Sequence, residues 1–423
     1  MHVVMFGDQH LETLGGAQVS MRLQRRFLER AGHTVTVVAP AMHGPRARAT
    51  PFDAAYVDLP SVPITPDREY SMTWPGQAAD RRVDAALVGR APVDVVHVQA
   101  DFWGAFIGHR FAHRHGLPVV HTMHNRVDVG IEATVPAPSL VLAALGAWQR
   151  HALGLDSRSR DGWDFLRGFA KRSDAVTAPS THFAHRLEQH GVVPRGGEGV
   201  DVVWNGIDDL LLDEVLAAAP ADRAPGPPRL VWLGRMSPEK RLLPFLEAVV
   251  ASGARVDVEV IGGGTELGAA RRIVDAGESE GAGASVTFSG RLPYAQTLAR
   301  IAAADAVVQT SIGFETQGMT IFEAASLGTP SIVSDPDLAR ELGSGFWAVG
   351  GAVDTAAAEA DASVAALAEA IRVAAADIAG GRAVTPDPMV RERFRQSSRT
   401  AAMVEVYDRV RGGQPAKTSN ASG

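Results

Sequence analysis

The chain has 423 residues, 46% of them hydrophobic and 21% charged, and a net charge of −7. That length fits two domains at roughly 100–200 residues each, the acidic balance argues against a nucleic-acid partner, and the absence of Cys excludes disulfides, cysteine nucleophiles and thiolate metal sites. No apolar run approaches the ~20 residues of a spanning helix, and a strand-like run begins at His2 with no basic leader before it, so no signal peptide is expected and the cytoplasm is the default location.

In chain order, Val3–Phe6 reads as a strand, Ala17–Ala31 as a helix and Thr34–Ala39 as a strand, and Val93–Val98, Pro118–Thr122, Ala175–Ala178 and Val200–Trp204 continue the strand series. A second series comprises Arg229–Leu233, Val256–Ile261, Ser285–Ser289, Ala306–Gln309 and Pro330–Ser334. Near-continuous Val/Ile/Leu runs suit parallel strands buried on both faces, and their alternation with helical patterns predicts doubly wound α/β domains. The Pro/Ala-rich stretch Ala217–Pro228 reads as a linker. Domain one is expected at 1–210 and domain two at 225–385, with residues 386–411 helical and able to cross back to domain one, and 412–423 a polar, disordered tail.

Two regions of domain one break the alternation. The proline-rich residues 41–75 read as a long loop, and residues 125–172, with Trp148, Trp163 and several arginines, as a large insertion. Both are expected near the carboxyl ends of strands, where open α/β sheets bind ligands. Within the insertion, Ser139–Leu153 is strongly apolar; it could dock on a membrane, pack into the core of domain one or bind a second subunit.

Four segments could carry chemistry. Gly15-Gly16 precedes the first helix, where paired glycines let backbone N–H groups approach a phosphate or sugar oxygen, though a plain tight turn reads the same. After the strand Arg229–Leu233, Arg235 and Lys240 flank a turn before a helix, as a diphosphate would need; two solvated charges are the plainer reading. Gly262-Gly263-Gly264 ends another strand and fits either a nucleotide or a flexible turn. Richest is Gly313–Ala325: Glu315 lies in a loop, Glu323 lies inside the following helix, and the Gly318–Ile321 amides at the helix start favour an anion. Carboxylates suit sugar hydroxyls and free N–H groups suit phosphate, the two chemistries of a nucleotide sugar. An acidic helix start favoured by the macrodipole accounts for Glu315 better than for Glu323. Asp335-Pro336-Asp337 spells D-x-D but follows a domain-two strand away from the expected donor, and His109, His113 and His115, at helical spacing, read as a solvated helix face, as do His182 and His185.

The Gly313–Ala325 segment resembles the E-x7-E motif of retaining GT-B glycosyltransferases of the family 4 type. Ala325–Asp335 is similar to that family's A-x-x-G-T-P run, and Gly15-Gly16, Asp94–Val98, His121–His124, Asn205–Asp208, Gly234-Arg235…Lys240 and Ser289–Leu292 follow in the family's order. The resemblance implies two Rossmann-like doubly wound domains facing across a cleft. It implies transfer of a hexosyl group from a UDP- or GDP-sugar to an acceptor sugar, lipid or small molecule, with retention to an α-glycoside. It implies no metal and no cofactor beyond the nucleotide-sugar co-substrate, and it is compatible with contact at the inner face of the membrane. By resemblance Glu315 would hold donor-sugar hydroxyls and Glu323 the ribose, Arg235 and Lys240 would neutralise the diphosphate, and Met319, Thr320 and Ile321 would offer backbone contacts to phosphate. Gly15, Gly16 and Gly263 would lie along the donor, Arg291 and Leu292 would flank the base, and His124 would approach the sugar. Thr316-Gln317 departs from the turn common in the family and leaves the sugar open. Rival readings are a glycoside hydrolase with Glu315 and Glu323 as acid and base, a nucleotide-sugar 2-epimerase on the same architecture, and an inert sugar-nucleotide-binding protein.

Overall fold

The computed structural model describes residues 1–13, 15–65, 68–127, 129, 137–154, 161–218, 226–279, 283–351 and 360–412. The chain forms two units: Met1–Gly206 joined by the carboxy-terminal helix Gln396–Gly412, and Ile207–Arg395.

In the first unit, β1 (His2–Gly7), β2 (Thr34–Pro40), β3 (Tyr56–Leu59), β6 (Val95–Gln99), β7 (Val119–Thr122), β8 (Ala175–Ala178) and β9 (Asp201–Val202) form one parallel sheet in the order β3-β2-β1-β6-β7-β8-β9, and β4 (Val62–Pro63) and β5 (Ser71–Met72) pair antiparallel beside it. Every residue of β1, β6, β7 and β8 is buried, as expected of strands covered by helices on both faces. In the second unit β10 (Arg229–Arg235), β11 (Asp257–Gly263), β12 (Ser285–Gly290), β13 (Ala306–Gln309), β14 (Ser331–Val333) and β15 (Phe346–Ala348) run parallel in the order β12-β11-β10-β13-β14-β15. Both sheets therefore wind outward from their first strand in one direction and then in the other. The order reverses between β1 and β6 in one unit and between β10 and β13 in the other, and ligands settle beyond the carboxyl ends of strands at such points.

Several expectations change. Residues 41–75 are not one long loop: they hold the helix Gly44–Ala49, β4, β5 and β3, whose Val57 and Leu59 alternate into the core. Only four residues alternate there, too few to stand out among prolines. The unit boundary falls at Gly206–Ile207, not at 210–225, because the helix Asp209–Ala218 packs on Tyr294–Ala303 and Met319–Leu327 of the second unit. Residues 219–225 of the expected linker and 413–423 of the expected tail lie outside the described residues, as do 128, 130–136 and 155–160 of the insertion. The helical pattern 389–410 divides: Met389–Phe394 stays in the second unit, where Phe394 meets Phe322, while Gln396–Gly412 buries Met403, Val406 and Tyr407 against Val3, Met5 and Met21 of the first. The apolar helix Pro138–Leu153 packs one face into the first unit's core through Leu142 and Leu153, with Trp148 stacked 5.0 Å from Phe106; Leu140, Ala143, Ala144 and Ala147 remain exposed. Among the described residues no helix is long and apolar enough to cross a membrane.

Candidate functional site

In the second unit the chemistry gathers at the carboxyl ends of β10 and β13. Beyond β10 the chain makes a short turn, Pro238–Lys240, and starts the helix Leu242–Ser252. That turn is fixed from the sheet: Trp232 Nε1 on β10 donates to Thr310 Oγ1 at 2.9 Å, and Thr310 in turn donates to the Lys240 carbonyl at 2.6 Å. Lys240 thereby reaches the loop after β13, where its Nζ donates to Glu315 Oε1 and lies 5.5 Å from the Phe314 ring centroid. Ser311 Oγ donates to the same carboxylate oxygen at 2.8 Å. Both partners of this ion pair keep about a fifth of their side-chain surface accessible, so a ligand can reach them. Arg235 projects outward and donates to Glu239 Oε1 at 3.2 Å, so Lys240 and Arg235 are held in separate ion pairs.

The helix Met319–Leu327 starts from Gly318 at φ 72°, with no side-chain cap and no acidic residue in its first turn. The conformation favours glycine, and a Cβ there would stand 2.7 Å from Leu338 Cδ1, so Leu338 would also have to shift. The start is tight: the Ile321 amide donates to Gly318 O at 3.1 Å. Glu323, in the second turn, is 5% exposed and accepts from Tyr294 OH at 2.6 Å. Burial raises the Glu323 carboxyl above its ordinary range, and Tyr294 only partly opposes that. Arg291 is exposed, its stem beside Gly263, and Leu292 packs with Val231, Ile261 and Ala304.

The triple glycine has a structural cause. A Cβ on Gly262 would lie 1.9 Å from Gly234 O, and one on Gly264 would lie 2.3 Å from Met236 O. These glycines let the end of β11 pass over the backbone leaving β10. Of the three, only Gly263 would take a Cβ without a clash, its nearest contact being Arg291 Nε at 3.6 Å. Asp335 of the D-x-D is the N-cap of Pro336–Leu342, accepting from the Asp337 amide at 2.9 Å, and it also accepts from Gly313 N at 2.7 Å.

In the first unit the helix nearest the sheet reversal is differently equipped. Asp8, just beyond β1, accepts from the amides of Asp101 (2.7 Å), Phe102 (3.0 Å) and Gly104 (2.8 Å), so the start of Trp103–His115 is already filled by a carboxylate. Burial pushes Asp8 up to about 6 despite those three N–H groups. Asp101 is fully buried; burial and then the Asp8 charge raise it to about 8. Its Oδ2 accepts from Asn125 at 2.5 Å, while its Oδ1 has no hydrogen-bond partner among the described residues. Beside Asn125, His124 is 9% exposed, bonded through Nε2 to Gln99 Oε1 at 3.0 Å, and lowered by burial to about 4. Gly15 and Gly16 are exposed at the start of Gly16–Arg30, with open space where a Gly16 Cβ would stand.

His109 departs from the solvated face read for it. It is 3% exposed, stacks 5.4 Å from Phe169 and bonds His121 Nδ1 at 3.1 Å; only His113 and His115 are exposed, the latter paired with Asp84 at 3.0 Å. Helical spacing misled because Trp103–His115 is buried on more than half its circumference. Tyr294, Ser311, Gln99, Asp8 and Asp101 were not singled out from the sequence. Position was the available signal, since all five lie at or just beyond a strand's carboxyl end.

Residues 14–209 match the model of Glycosyltransferase Family 4, and residues 227–377 match that of Glycosyl transferases group 1. The chain is 27% identical over 348 residues to the GDP-mannose-dependent alpha-mannosyltransferase of Mycolicibacterium smegmatis, covering 81% of this chain and 82% of that protein. It is 24% identical over 343 residues to the alpha-monoglucosyldiacylglycerol synthase of Streptococcus pneumoniae, covering 78% and 70%. Among solved structures it is similar to Anabaena Alr3699/HepE in complex with UDP and glucose, with a TM-score of 0.64 at 16% identity over 96% of this chain and 99% of that one. Sucrose-phosphate synthase from Thermosynechococcus elongatus gives a TM-score of 0.64 at 18% identity over 98% and 100%.

Proposed function

Because the chain is a nucleotide-sugar-dependent glycosyltransferase of GT-B type, related to the family 4 and group 1 sugar transferases, we propose that it moves a hexosyl group from a GDP- or UDP-sugar to an acceptor with retention, forming an α-glycoside. The observation that carries this reading is the cluster of Lys240 with Glu315 and Ser311, the latter two in the loop that leads into the uncapped helix Met319–Leu327. A cation, a sugar-binding carboxylate and a helix start suited to phosphate come together there, as a sugar diphosphate requires.

In this reading the second unit grips the donor. Met319 and Thr320 offer amides to phosphate, Lys240 and Arg235 oppose the charge that grows on the leaving diphosphate, Glu315 accepts from sugar hydroxyls and Glu323 from the ribose. Gly263, Arg291 and Leu292 border the base. Gly15, Gly16 and His124 of the first unit are assigned to the phosphate and sugar by resemblance. The bond from C1 to the diphosphate oxygen breaks, the acceptor oxygen bonds C1 on the same face, and the acceptor proton passes to the leaving diphosphate. The hydrolase reading loses support, since Glu323 is buried against Tyr294 and Glu315 is paired with Lys240.

By their names one curated relative depends on GDP-mannose and the other makes a glucosyl lipid, which makes GDP-mannose and UDP-glucose the first donors to try. Thermal-shift titration with GDP-, UDP- and ADP-sugars ranks donors through RT ln(1 + [L]/Kd), and NMR of the product reads the anomeric configuration. An inverted product, or a trapped covalent sugar–protein adduct, overturns the mechanism. An epimerised donor formed without acceptor favours the 2-epimerase, and binding without turnover across an acceptor panel favours an inert binder.

A further inference from the structure

The buried polar groups around His124 form two hydrogen-bonded sets, one through Gln99 and His97 and one through His121 and His109, and each has a consistent set of directions. Carbonyl oxygens only accept. The Ala100 carbonyl therefore takes the Nε2 hydrogen of His121 at 2.8 Å, which leaves His121 Nδ1 to accept from His109 Nε2 at 3.1 Å. Gln99 Oε1 likewise takes the Nε2 hydrogen of His124 at 3.0 Å. The Gln99 amide nitrogen then donates to Gln24 Oε1 at 2.6 Å and faces His97 Nδ1 at 3.3 Å. His97 Nδ1 also receives Tyr407 OH at 2.7 Å, so the His97 hydrogen sits on Nε2 and goes to Thr122 Oγ1 at 2.7 Å, and Thr122 donates on to Thr177 at 2.6 Å. This assignment satisfies each of these bonds with all four rings neutral, and burial favours the neutral form of each. Gln99, His97 and His121 are fully or nearly fully buried, so no solvent competes for these bonds.

We propose that Gln99 is a positioning residue for His124, its side-chain amide oriented by Gln24, His97 and Tyr407 so that the imidazole is held by Nε2–H in a single tautomer. Three successive residues at and just beyond the end of β6 thus hold the end of β7 and the residues that follow it: Gln99 holds His124, the Ala100 carbonyl holds His121, and Asp101 holds Asn125. Tyr407 comes from the carboxy-terminal helix, so the segment that returns to the first unit also completes the network. A histidine's two nitrogens are chemically distinct, and the partner of one decides what the other can do. The part this plays in turnover rests on the sugar contact proposed for His124; the orientation itself does not.

The test uses the full chain labelled with 15N-histidine, the His124 signals being assigned with His124→Gln. Wild type is expected to give a neutral ring at pH 7 with hydrogen on Nε2. Gln99→Leu is expected to give mixed tautomers at His124 and to lower kcat about 10–100-fold with donor KM within about twofold. Gln99→Glu, by setting a carboxylate against Nε2, is expected to raise the His124 titration midpoint by about 1–3 pH units, and Gln99→Asn to fall between Gln99→Leu and wild type. His97 and His121 are the other titratable rings near His124 and serve as internal controls. A wild-type ring protonated on Nδ1, or a His124 tautomer and midpoint unmoved by either Gln99→Leu or Gln99→Glu, overturns the proposal. Loss of the tautomer with kcat unchanged overturns instead the role given to His124 in transfer.

Discussion

Lys240 Nζ donates to Glu315 Oε1 across the sheet reversal of the second unit, joining the turn after β10 to the loop after β13. The pair is partly accessible, so its stability value is modest, about 0–1 kcal/mol. Its importance lies in what it presents, a cation and a carboxylate already in place before donor arrives. Glu315→Ala is expected to lower kcat about 10²–10³-fold, and Lys240→Ala to lower kcat/KM for the donor by a similar factor. Arg235→Ala, at a side chain 65% exposed, is expected to weaken donor binding with no measurable change in melting temperature. Initial-rate kinetics and thermal melts check all three. Unchanged donor kinetics in Glu315→Ala removes the assignment.

Glu323 tests the ribose contact and carries a pH signature. Its carboxyl is raised in the folded chain, so the folded state binds that proton more tightly than the unfolded state. The stability this gives is present at low pH and is lost as pH rises from the ordinary glutamate range through the raised value. Glu323→Gln keeps an acceptor for Tyr294 and removes the dependence. Its melting temperature relative to wild type is expected to climb with pH and then level off. Nucleotide affinity is expected to fall about 10–100-fold, the worth of a hydrogen bond to a charged group. Titration calorimetry with the nucleoside diphosphate alone reads it.

Asp101 gives a second pH prediction, in the first unit. With Asp101 raised to about 8 and Asp8 to about 6, the folded state holds protons that the unfolded chain releases near pH 4. Stability is expected to fall between about pH 4 and pH 8. Asp101→Asn, which cannot ionise, is expected to melt above wild type at pH 8–9 and to converge with it below pH 4. Asp101→Ala leaves the Asn125 amide without this acceptor and is expected to cost about 1–3 kcal/mol at all pH values. Denaturant melts at four pH values separate the two variants.

The glycines divide into those the fold needs and those it does not. Gly262→Ala and Gly264→Ala drive a Cβ to 1.9 and 2.3 Å from backbone oxygens and are expected to destabilise by more than about 2 kcal/mol or to prevent soluble expression. Gly263→Ala is expected to melt within about 0.5 kcal/mol of wild type, so any loss of donor affinity it causes reports on the ligand. Gly318→Ala is expected to lower both stability and donor affinity, because the left-handed start of Met319–Leu327 and the packing of Leu338 fail together.

The strand series, the parallel α/β class and the Glu315–Glu323 segment were legible in the sequence because each rests on local pattern. Val3–Phe6 and Ala306–Gln309 are continuous apolar runs, and Gly318 with the following helix follows a short-range rule. β3 was not legible, since only Tyr56–Leu59 alternates and proline surrounds it. His109 was misjudged because helical spacing tells which residues share a face but not how much of the helix is buried.

By itself, then, the sequence determined most of the central strands, that the sheets are parallel, and which carboxylates and cations stand ready at strand ends, because hydrophobic periodicity and turn chemistry act within a few residues of the chain. Only the tertiary structure decided how those groups are partnered: Glu315 with Lys240, Glu323 with Tyr294, Gln99 with His124, and Tyr407 with His97, 310 positions earlier. It also decided that glycines 262 and 264 serve the backbone and that Asp8 fills its own helix start. Those outcomes depend on which strands lie side by side and on how completely packing removes water, and neither is set until the whole sheet has closed over its core.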